Sequence, residues 1–306
     1  MRIHVRHETA YSYAAPPKYV IQKLRLSPRS HEGQHVRRWR IEVDQDCRLI
    51  ETADAFGNTV HSFTLHDQFD ELKITVEGEV ETEDTAGVVR GAVERLPLQL
   101  YLRETDLTCP NADIEDYAAK FRRDDSERLA GLHDMLTDLH GHIRYDTGRT
   151  DSGTTATDAF ELGEGVCQDF AHIFIAAART LGIPARYVGG YLVQTDGTIS
   201  SDAGHAWAEA HINELGWVGF DPSNGICITE GKVKDPFVLG LEEFTFVSVA
   251  TSGAPRDFAF RVYSNEVVVK SGPTNEGGNE SAPTGNNLTS GVIVGPNCMI
   301  GQLTVR

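Results

Sequence analysis

The order of residue patterns along this 306-residue chain predicts an α+β fold, not alternating β-α-β units. Patterns typical of strands fill the first 95 residues, and helical patterns begin near residue 111. Strand-like segments return after one markedly apolar helix. We therefore expect that helix to pack on an antiparallel sheet, and an all-β domain to precede both.

The N-terminal region reads as strands joined by turns. Apolar and polar residues alternate in "RRWRIEVDQ" and in "DELKITVEGEVET", as they do in half-buried strands. Gly57 and Asn58 separate two such runs in "DAFGNTVHSFTL", which indicates a hairpin. These patterns predict an antiparallel β-domain over residues 1–95.

A second domain is predicted over residues 96–270, and it opens with helices. Pro110 and Asn111 precede an apolar-periodic segment, which is typical of a helix entry. Residues 271–306 begin with the polar run "SGPTNEGGNESAPTGNNLTS", which predicts a flexible linker. They end in a short C-terminal segment to which the sequence assigns no role.

The segment "EGVCQDFAHIFIAAARTLGIPARYVGGYL" contains the apolar helix. The helix should start after Gly165 and stop at Gly182, with Pro184 just beyond. Because so little of it is polar, we expect it to be central and buried. The strand-like segments that follow it are "ARYVGGYLV", "HAWAEAHI" and "GWVGFDP".

Composition narrows the possible partners. Lys and Arg total 28 whereas Asp and Glu total 45, so the formal net charge is −17. This excess argues against binding to nucleic acid and to an anionic membrane surface. No stretch reaches the roughly 20 apolar residues of a membrane span, and the N-terminus alternates like a strand, unlike a signal peptide.

The cysteines indicate a reducing compartment. Their number is odd and they form no CxxC pair: Cys47, Cys109, Cys167, Cys227 and Cys298. Such spacing favours neither a disulfide framework nor a structural zinc site, and it fits a cytoplasmic protein. In that setting a cysteine in a special context is a candidate nucleophile.

Cys167 has such a context, because it opens the apolar helix. The unpaired N–H groups and the dipole at a helix N-terminus favour a thiolate there. The same N–H groups can stabilise the oxyanion of a tetrahedral intermediate. The alternative is a buried structural cysteine, which would need no catalytic partners.

Two partners follow Cys167 in the order that nucleophilic catalysis requires. His205 opens one predicted strand and Asp221 ends the next. Adjacent antiparallel strands would present the imidazole and the carboxylate side by side. The carboxylate could then fix the imidazole tautomer and stabilise the imidazolium.

The motifs "GVCQDFAHIFIAAARTLGIPARYVGGYL", "GHAWAEAHI" and "GWVGFDPSNG" carry a resemblance to a known family. Together they resemble the Cys, His and Asp motifs of bacterial transglutaminase-like proteins, in the subgroup with an N-terminal β-domain. The resemblance covers residues 1 to about 230. It implies a papain-like or transglutaminase-like core in which Cys167 is the nucleophile, His205 the general base and Asp221 the orienting acid.

Other residues are weaker candidates. Tyr191, Trp207 and Gln168 could line the cleft or stabilise an oxyanion, although each could instead be a packing residue, the interpretation that is favoured for Tyr191 and Gln168. His140 and His142 form an HxH pair without further ligands at metal-binding spacing. No acidic calcium-binding loop occurs either. We therefore expect neither a metal nor a cofactor.

The leading functional hypothesis is a cysteine-dependent acyl-transfer enzyme. It would hydrolyse a peptide or side-chain amide of a peptide or protein substrate through a thioester on Cys167. A true transglutaminase stays open, because the two reactions differ only in whether water or an amine resolves the thioester. A non-catalytic protein-binding module also stays open, since fold does not imply function. The oligomeric state is not predicted.

Overall fold

The computed structural model describes residues 2–13, 17, 19–66, 69–92, 94–193 and 205–227, and short strands within residues 237–305. The predicted linker over residues 271–290 lies outside the described residues. Helices and mainly antiparallel sheets occur together, so the predicted α+β class is confirmed. None of the described helices is long and apolar enough to cross a membrane.

The strands and helices are numbered in chain order. The strands are β1 (Arg2–Ser12), β2 (Tyr19–Leu24), β3 (Gln34–Val43), β4 (Ile50–Ala53), β5 (Thr59–Leu65), β6 (Glu71–Thr82), β7 (Val88–Val89), β8 (Arg144–Tyr145), β9 (Glu164–Gly165), β10 (Ala185–Val193), β11 (His205–Ile212), β12 (Gly216–Asp221), β13 (Ile226–Cys227), β14 (Phe237–Leu241), β15 (Thr245–Ala250), β16 (Arg261–Tyr263), β17 (Glu266–Val268), β18 (Gly291–Val294) and β19 (Ile300–Val305). The α-helices are α1 (Ala112–Ala119), α2 (Arg128–His142), α3 (Ala156–Leu162) and α4 (Cys167–Thr180), and short 3-10 turns span Leu98–Leu102 and Asp125–Glu127.

Two antiparallel sheets form the strand-rich N-terminal region. Their strand orders are β19-β1-β6-β3 and β18-β15-β2-β5-β4. In β6 buried and exposed residues alternate, and Leu72, Ile74 and Val76 share one apolar cluster with Leu24 and Phe63 of the other sheet. The two sheets therefore face each other across a common core, as period-two alternation requires of half-buried strands.

Three strands from the last part of the chain, β15, β18 and β19, join the N-terminal sheets. β19 is antiparallel to β1, and β15 lies between β2 and β18. The segment to which the sequence assigned no role thus supplies β18 and β19. The domain boundaries at residues 95 and 270 stay a prediction.

A second layer is built on α4. The sheet beside it has the order β13-β12-β11-β10-β14, and β7 joins β12. All but the last residue of α4 are buried, and the helix packs on Ala206, Ala208 and Ala210 of β11. Gly182, with φ +75°, then takes the left-handed conformation that ends a helix. The prediction of a central, buried helix is confirmed.

The opposite face of this sheet contains a buried ion cluster. The guanidinium of Arg186 lies 2.7 Å from carboxylate oxygens of both Glu94 and Glu209. It also stacks over the Trp217 ring, 4.1 Å from the ring centroid. Arg186 and Glu209 face each other across β10 and β11. The cluster therefore links β10 and β11 to the segment before the first 3-10 turn, which contains Glu94.

Replacing Arg186 should destabilise the fold. Arg186→Met keeps most of the side-chain volume but leaves Glu209, which is 6% exposed, without its cation. We expect a loss of about 3–5 kcal/mol in the free energy of unfolding, measured by urea denaturation. The double variant Arg186→Met/Glu209→Gln should recover part of that loss, because the uncompensated charge is gone.

Arg37→Met is the matched control. Arg37 pairs with Glu81 on an exposed strand surface, so its replacement should leave the free energy of unfolding almost unchanged. Equal losses in the Arg186 and Arg37 variants would contradict a structural role for the buried cluster.

Candidate active site

Cys167 is the first residue of α4, and a tight backbone turn places it there. Val166, the preceding residue, has extended backbone geometry and serves as the N-cap. A Cβ on Gly165 would lie 2.7 Å from the Cβ of Asp169, so only glycine fits before the cap. Only 2% of Cys167 is exposed. The thiol therefore sits at the positive end of a helix dipole and out of bulk water.

His205 and Asp221 lie on neighbouring strands of the sheet beside α4. β11 and β12 are antiparallel, with Ala208 opposite Phe220. Side chains alternate along each strand, so His205 and Asp221 project to the same face of the sheet. His205 Nε2 lies 2.6 Å from Asp221 Oδ2.

The thiol completes the arrangement. A side-chain hydrogen bond joins Cys167 to His205. Because Asp221 occupies Nε2 of the imidazole, Nδ1 is the ring nitrogen left for the sulfur. The structure thus brings together the three residues that the sequence predicts as nucleophile, base and orienting acid.

The surroundings favour the charged forms of His205 and Asp221. Burial alone would lower the pKa of His205, but the charge and hydrogen bond of Asp221 outweigh it and raise that pKa to about 10. Burial alone would raise the pKa of Asp221, but His205, Asn224 and Ser223 outweigh it and lower that pKa. An imidazolium paired with a carboxylate is the form that a neighbouring thiolate needs.

Two residues that the sequence reasoning missed hold the carboxylate of Asp221. Ser223 Oγ donates to Asp221 Oδ1 at 2.8 Å, and Asn224 Nδ2 donates to Asp221 Oδ2 at 2.8 Å. Their signal in the sequence is the short "DPSNG" turn, in which small polar side chains follow an acid closely enough to bond it. Asp221 itself is fully buried.

Tyr145 is a third residue that the sequence reasoning missed. β8 pairs in parallel with β9, which puts Tyr145 opposite Gly165, just ahead of the turn that leads into Cys167. Its side chain is 54% exposed, and its ring stacks on Phe170 at a centroid distance of 6.4 Å. Partial burial, followed by the charges of Cys167 and Asp221, raises the pKa of Tyr145 to about 12. An exposed aromatic ring therefore borders the thiol.

The weaker candidates take different positions. Gln168 is buried in the first turn of α4, and its Nε2 donates to the carbonyl of Ser152 at 3.5 Å. Trp207 is buried with its ring nearly parallel to that of His205, the ring centroids 6.2 Å apart. Tyr191 packs edge-on against His7 of β1, and its hydroxyl has no hydrogen-bond partner in the described part of the chain.

The two histidines of the HxH pair serve separate contacts. His140 Nδ1 lies 3.3 Å from the carbonyl of Pro222, in the turn that holds Asp221. His142 stacks on Phe160 with a centroid distance of 5.1 Å. Among the described residues no group of three or more His, Cys, Asp and Glu side chains could hold a metal ion.

Comparison with known proteins agrees with this architecture. A family described as the Transglutaminase-like superfamily matches residues 115–222, and one described as the Bacterial transglutaminase-like N-terminal region matches residues 3–81. The protein ML0607 of Mycobacterium leprae is 30% identical over 243 residues, which cover 75% of this chain and 85% of that protein. Rv2569c of Mycobacterium tuberculosis is 29% identical over 247 residues, covering 73% and 79%. Both relatives are named as uncharacterized proteins.

One similar solved structure covers both regions of the chain. It is described as "a Putative Cysteine Protease from Cytophaga hutchinsonii" and is 20% identical, with a TM-score of 0.59. The match covers 87% of this chain and 95% of that one. The predicted fold is confirmed: a helix that begins with a cysteine packs on an antiparallel sheet, after a strand-rich N-terminal region.

The pairing of His205 predicts a pH-dependent stability. Because folding raises the pKa of His205 from 6.5 to about 10, the folded chain holds this proton more tightly than the unfolded chain does. The resulting stabilisation is complete below pH 6.5 and is lost as the pH rises to about 10. The difference in free energy of unfolding between the wild type and His205→Gln should therefore shrink across that range, measured by urea denaturation at several pH values.

His7→Gln is the control. Burial lowers the pKa of His7 to about 4, so the stability that it contributes is present above pH 6.5 and is lost as the pH falls. Its difference from the wild type should stay constant between pH 6.5 and 10. A constant difference for His205→Gln over the same range would show that the imidazole gains no proton affinity on folding.

Proposed function

Since the chain belongs to the transglutaminase-like superfamily, we propose that it is a cysteine-dependent acyl-transfer enzyme that hydrolyses a peptide or side-chain amide. The observation that carries the proposal is the line of contacts from the Cys167 thiol through His205 to the buried carboxylate of Asp221. Structural histidines do not need a buried carboxylate on one nitrogen and a thiol on the other. This arrangement is the one that activates a sulfur nucleophile.

Proton transfer from Cys167 to His205 is the first step. The imidazole accepts the thiol proton at Nδ1, and Asp221 stabilises the imidazolium through Nε2. Ser223 and Asn224 keep the carboxylate oriented, because each donates to one of its oxygens. The start of α4 stabilises the thiolate through the helix dipole.

Acylation follows when the thiolate attacks the carbonyl carbon of an amide. A C–S bond forms, and the carbonyl oxygen becomes an oxyanion that the N–H groups of the first turn of α4 can stabilise. His205 then donates its proton to the leaving nitrogen as the C–N bond breaks. The products of this half-reaction are an amine, or ammonia from a glutamine side chain, and a thioester on Cys167.

Water resolves the thioester in the second half-reaction. His205 accepts a proton from water as the oxygen attacks the acyl carbon, and the C–S bond breaks to return the thiolate. The printed description of the Cytophaga hutchinsonii structure, "a Putative Cysteine Protease", supports water over an amine as the incoming nucleophile. The steps described use side chains and backbone groups of this chain with no cofactor.

We further propose a peptide or protein substrate in the cytoplasm. Cys47, Cys109 and Cys167 are free thiols, which supports a reducing compartment. The formal charge of −17 would repel nucleic acid and anionic membrane surfaces, which supports a substrate that is neither.

Thiol alkylation is the direct test of the activated cysteine. Iodoacetamide should modify Cys167 rapidly below pH 7, with the modified residue located by mass spectrometry. In His205→Ala the reaction at pH 6.5 should be about 100-fold slower, because an ordinary thiol of pKa about 8.5 is about 1% ionised there.

Cys109 is the internal control for that experiment. It is exposed, but burial of its sulfur and the nearby Glu104 raise its pKa, so it should react slowly in both proteins. Reaction of Cys167 no faster than Cys109 would argue against an activated nucleophile. A protein-binding module would then be the better description.

The incoming nucleophile can be identified separately. Glutamine-containing peptides and a labelled primary amine are incubated with the protein, and released ammonia, new amino groups and incorporated label are measured. We expect hydrolysis products without label, abolished in Cys167→Ala and retained in Cys109→Ala. Label incorporated in proportion to ammonia would establish a transglutaminase instead.

A further inference from the structure

Asp169 is a buried carboxylate two residues after Cys167, and the proposed catalytic steps do not use it. It is the third residue of α4 and is 1% exposed. Its Oδ2 accepts a hydrogen bond from the N–H of Val166 at 2.8 Å. Val166 has no side-chain acceptor, so this is half of a capping box, and it fixes the backbone immediately before Cys167.

The same oxygen ties α4 to a loop. Thr150 Oγ1 donates to Asp169 Oδ2 at 2.6 Å, and Gln168 Nε2 reaches the carbonyl of Ser152 two residues along. Residues 146–154 therefore lie against the first turn of α4 through the two side chains that directly follow the cysteine. The position of Cys167 depends on this attachment as well as on the helix.

The other oxygen of Asp169 is unsatisfied. Its Oδ1 is buried and has no hydrogen-bond partner among the described residues. Thr150 Oγ1 donates to the carboxyl, and the ionisable groups coupled to it are the carboxylate of Asp151 and the phenol of Tyr145. Neither of these two is a cation, and Asp151 carries the same charge as an ionised Asp169. Cys167 is close by in the chain, because it directly follows Val166, whose N–H the carboxyl accepts.

We propose that Asp169 is a positioning residue of the nucleophile: it clamps the turn before Cys167 to the loop 146–154, and its ionisation opposes that of the thiol. The proposal rests on the proposed function, since it concerns the same thiolate. A negative carboxyl within one helical turn disfavours a second negative charge on sulfur, and protonation of the carboxyl removes that opposition. The carboxyl can change state near neutral pH, because burial, only partly offset by Thr150 and Val166, raises the pKa of Asp169 to about 6.

Two midpoints measured on the full chain test the coupling. The first is the pH midpoint of Cys167 alkylation in the wild type and in Asp169→Asn, whose amide oxygen can still accept the Val166 N–H. The second is the pH midpoint of the Asp169 carboxyl ¹³C resonance in the wild type and in Cys167→Ser. The two groups are coupled, so the one that ionises at the higher pH has its midpoint raised by the charge already present on the other. Removing that charge should lower this midpoint by about one pH unit: the alkylation midpoint in Asp169→Asn if Cys167 ionises second, or the ¹³C midpoint in Cys167→Ser if Asp169 does.

Asp158→Asn is the matched control. Asp158 is the third residue of α3 and makes a capping box with Thr155, the same local role at an exposed helix start. This variant should leave both midpoints unchanged. Midpoints that stay at wild-type values in both Asp169→Asn and Cys167→Ser would overturn the coupling.

Thr150→Val tests the clamp, and it serves if Asp169→Asn fails to fold. It removes one hydrogen bond from the Asp169 carboxylate and should raise the ¹³C midpoint of that carboxyl. At a pH at which the carboxyl is ionised in both proteins, so that the coupling is equal in the two, the variant should slow alkylation of Cys167 while leaving Cys109 unaffected. If neither the ¹³C midpoint nor the alkylation rate of Cys167 changes, the clamp is overturned.

Failure of the proposed function has a different signature. Slow alkylation of Cys167 in the wild type would count against the proposed function, and the ¹³C midpoints would still decide the coupling.

Discussion

A helix that is as apolar as α4 has to be enclosed by protein along almost its whole surface. α4 meets that condition between β10 and β11 on one side and the three other helices on the other. Its backbone is then fixed along its whole length, and its N-terminus is fixed with it. Close packing leaves such a helix no alternative position, so the first turn becomes a rigid point against which side chains from other elements can be placed within tenths of an ångström.

The sheet supplies the second half of that geometry. Burying Asp221 completely is unfavourable for a carboxylate unless every lone pair finds a donor, and His205, Ser223 and Asn224 provide those donors. The compensation works only while β11 and β12 keep their register. A shift of one residue would turn His205 to the other face of the sheet, so strand pairing and the polar contacts depend on each other.

Periodicity and order in the sequence were enough to predict α4 and the three residues that meet at its start. Those features are local, since an apolar helix, a glycine before it and a strand ending in Asp-Pro can each be read within about ten residues. Tyr145 was missed because its proximity to Cys167 arises from the pairing of β8 with β9, about twenty residues apart in sequence. The role of residues 291–306 was missed for the same reason, because a short apolar run does not reveal which distant strand it will join.

The return of the chain's end to its beginning has a consequence for association between molecules. In the sheet ordered β19-β1-β6-β3, the last strand of the chain covers the backbone edge of the first, whose N–H and C=O groups would otherwise be open to a strand from another molecule. β3 forms the other edge of that sheet within the described residues, and it carries Arg37, Arg38 and Arg40 at its surface. β1 is thus an interior strand of this sheet, and of the two edge strands, β19 and β3, the second is guarded by charge. A chain shortened before β19 would expose a long, regular edge on β1 and would be prone to aggregate even with α4 and its surroundings intact.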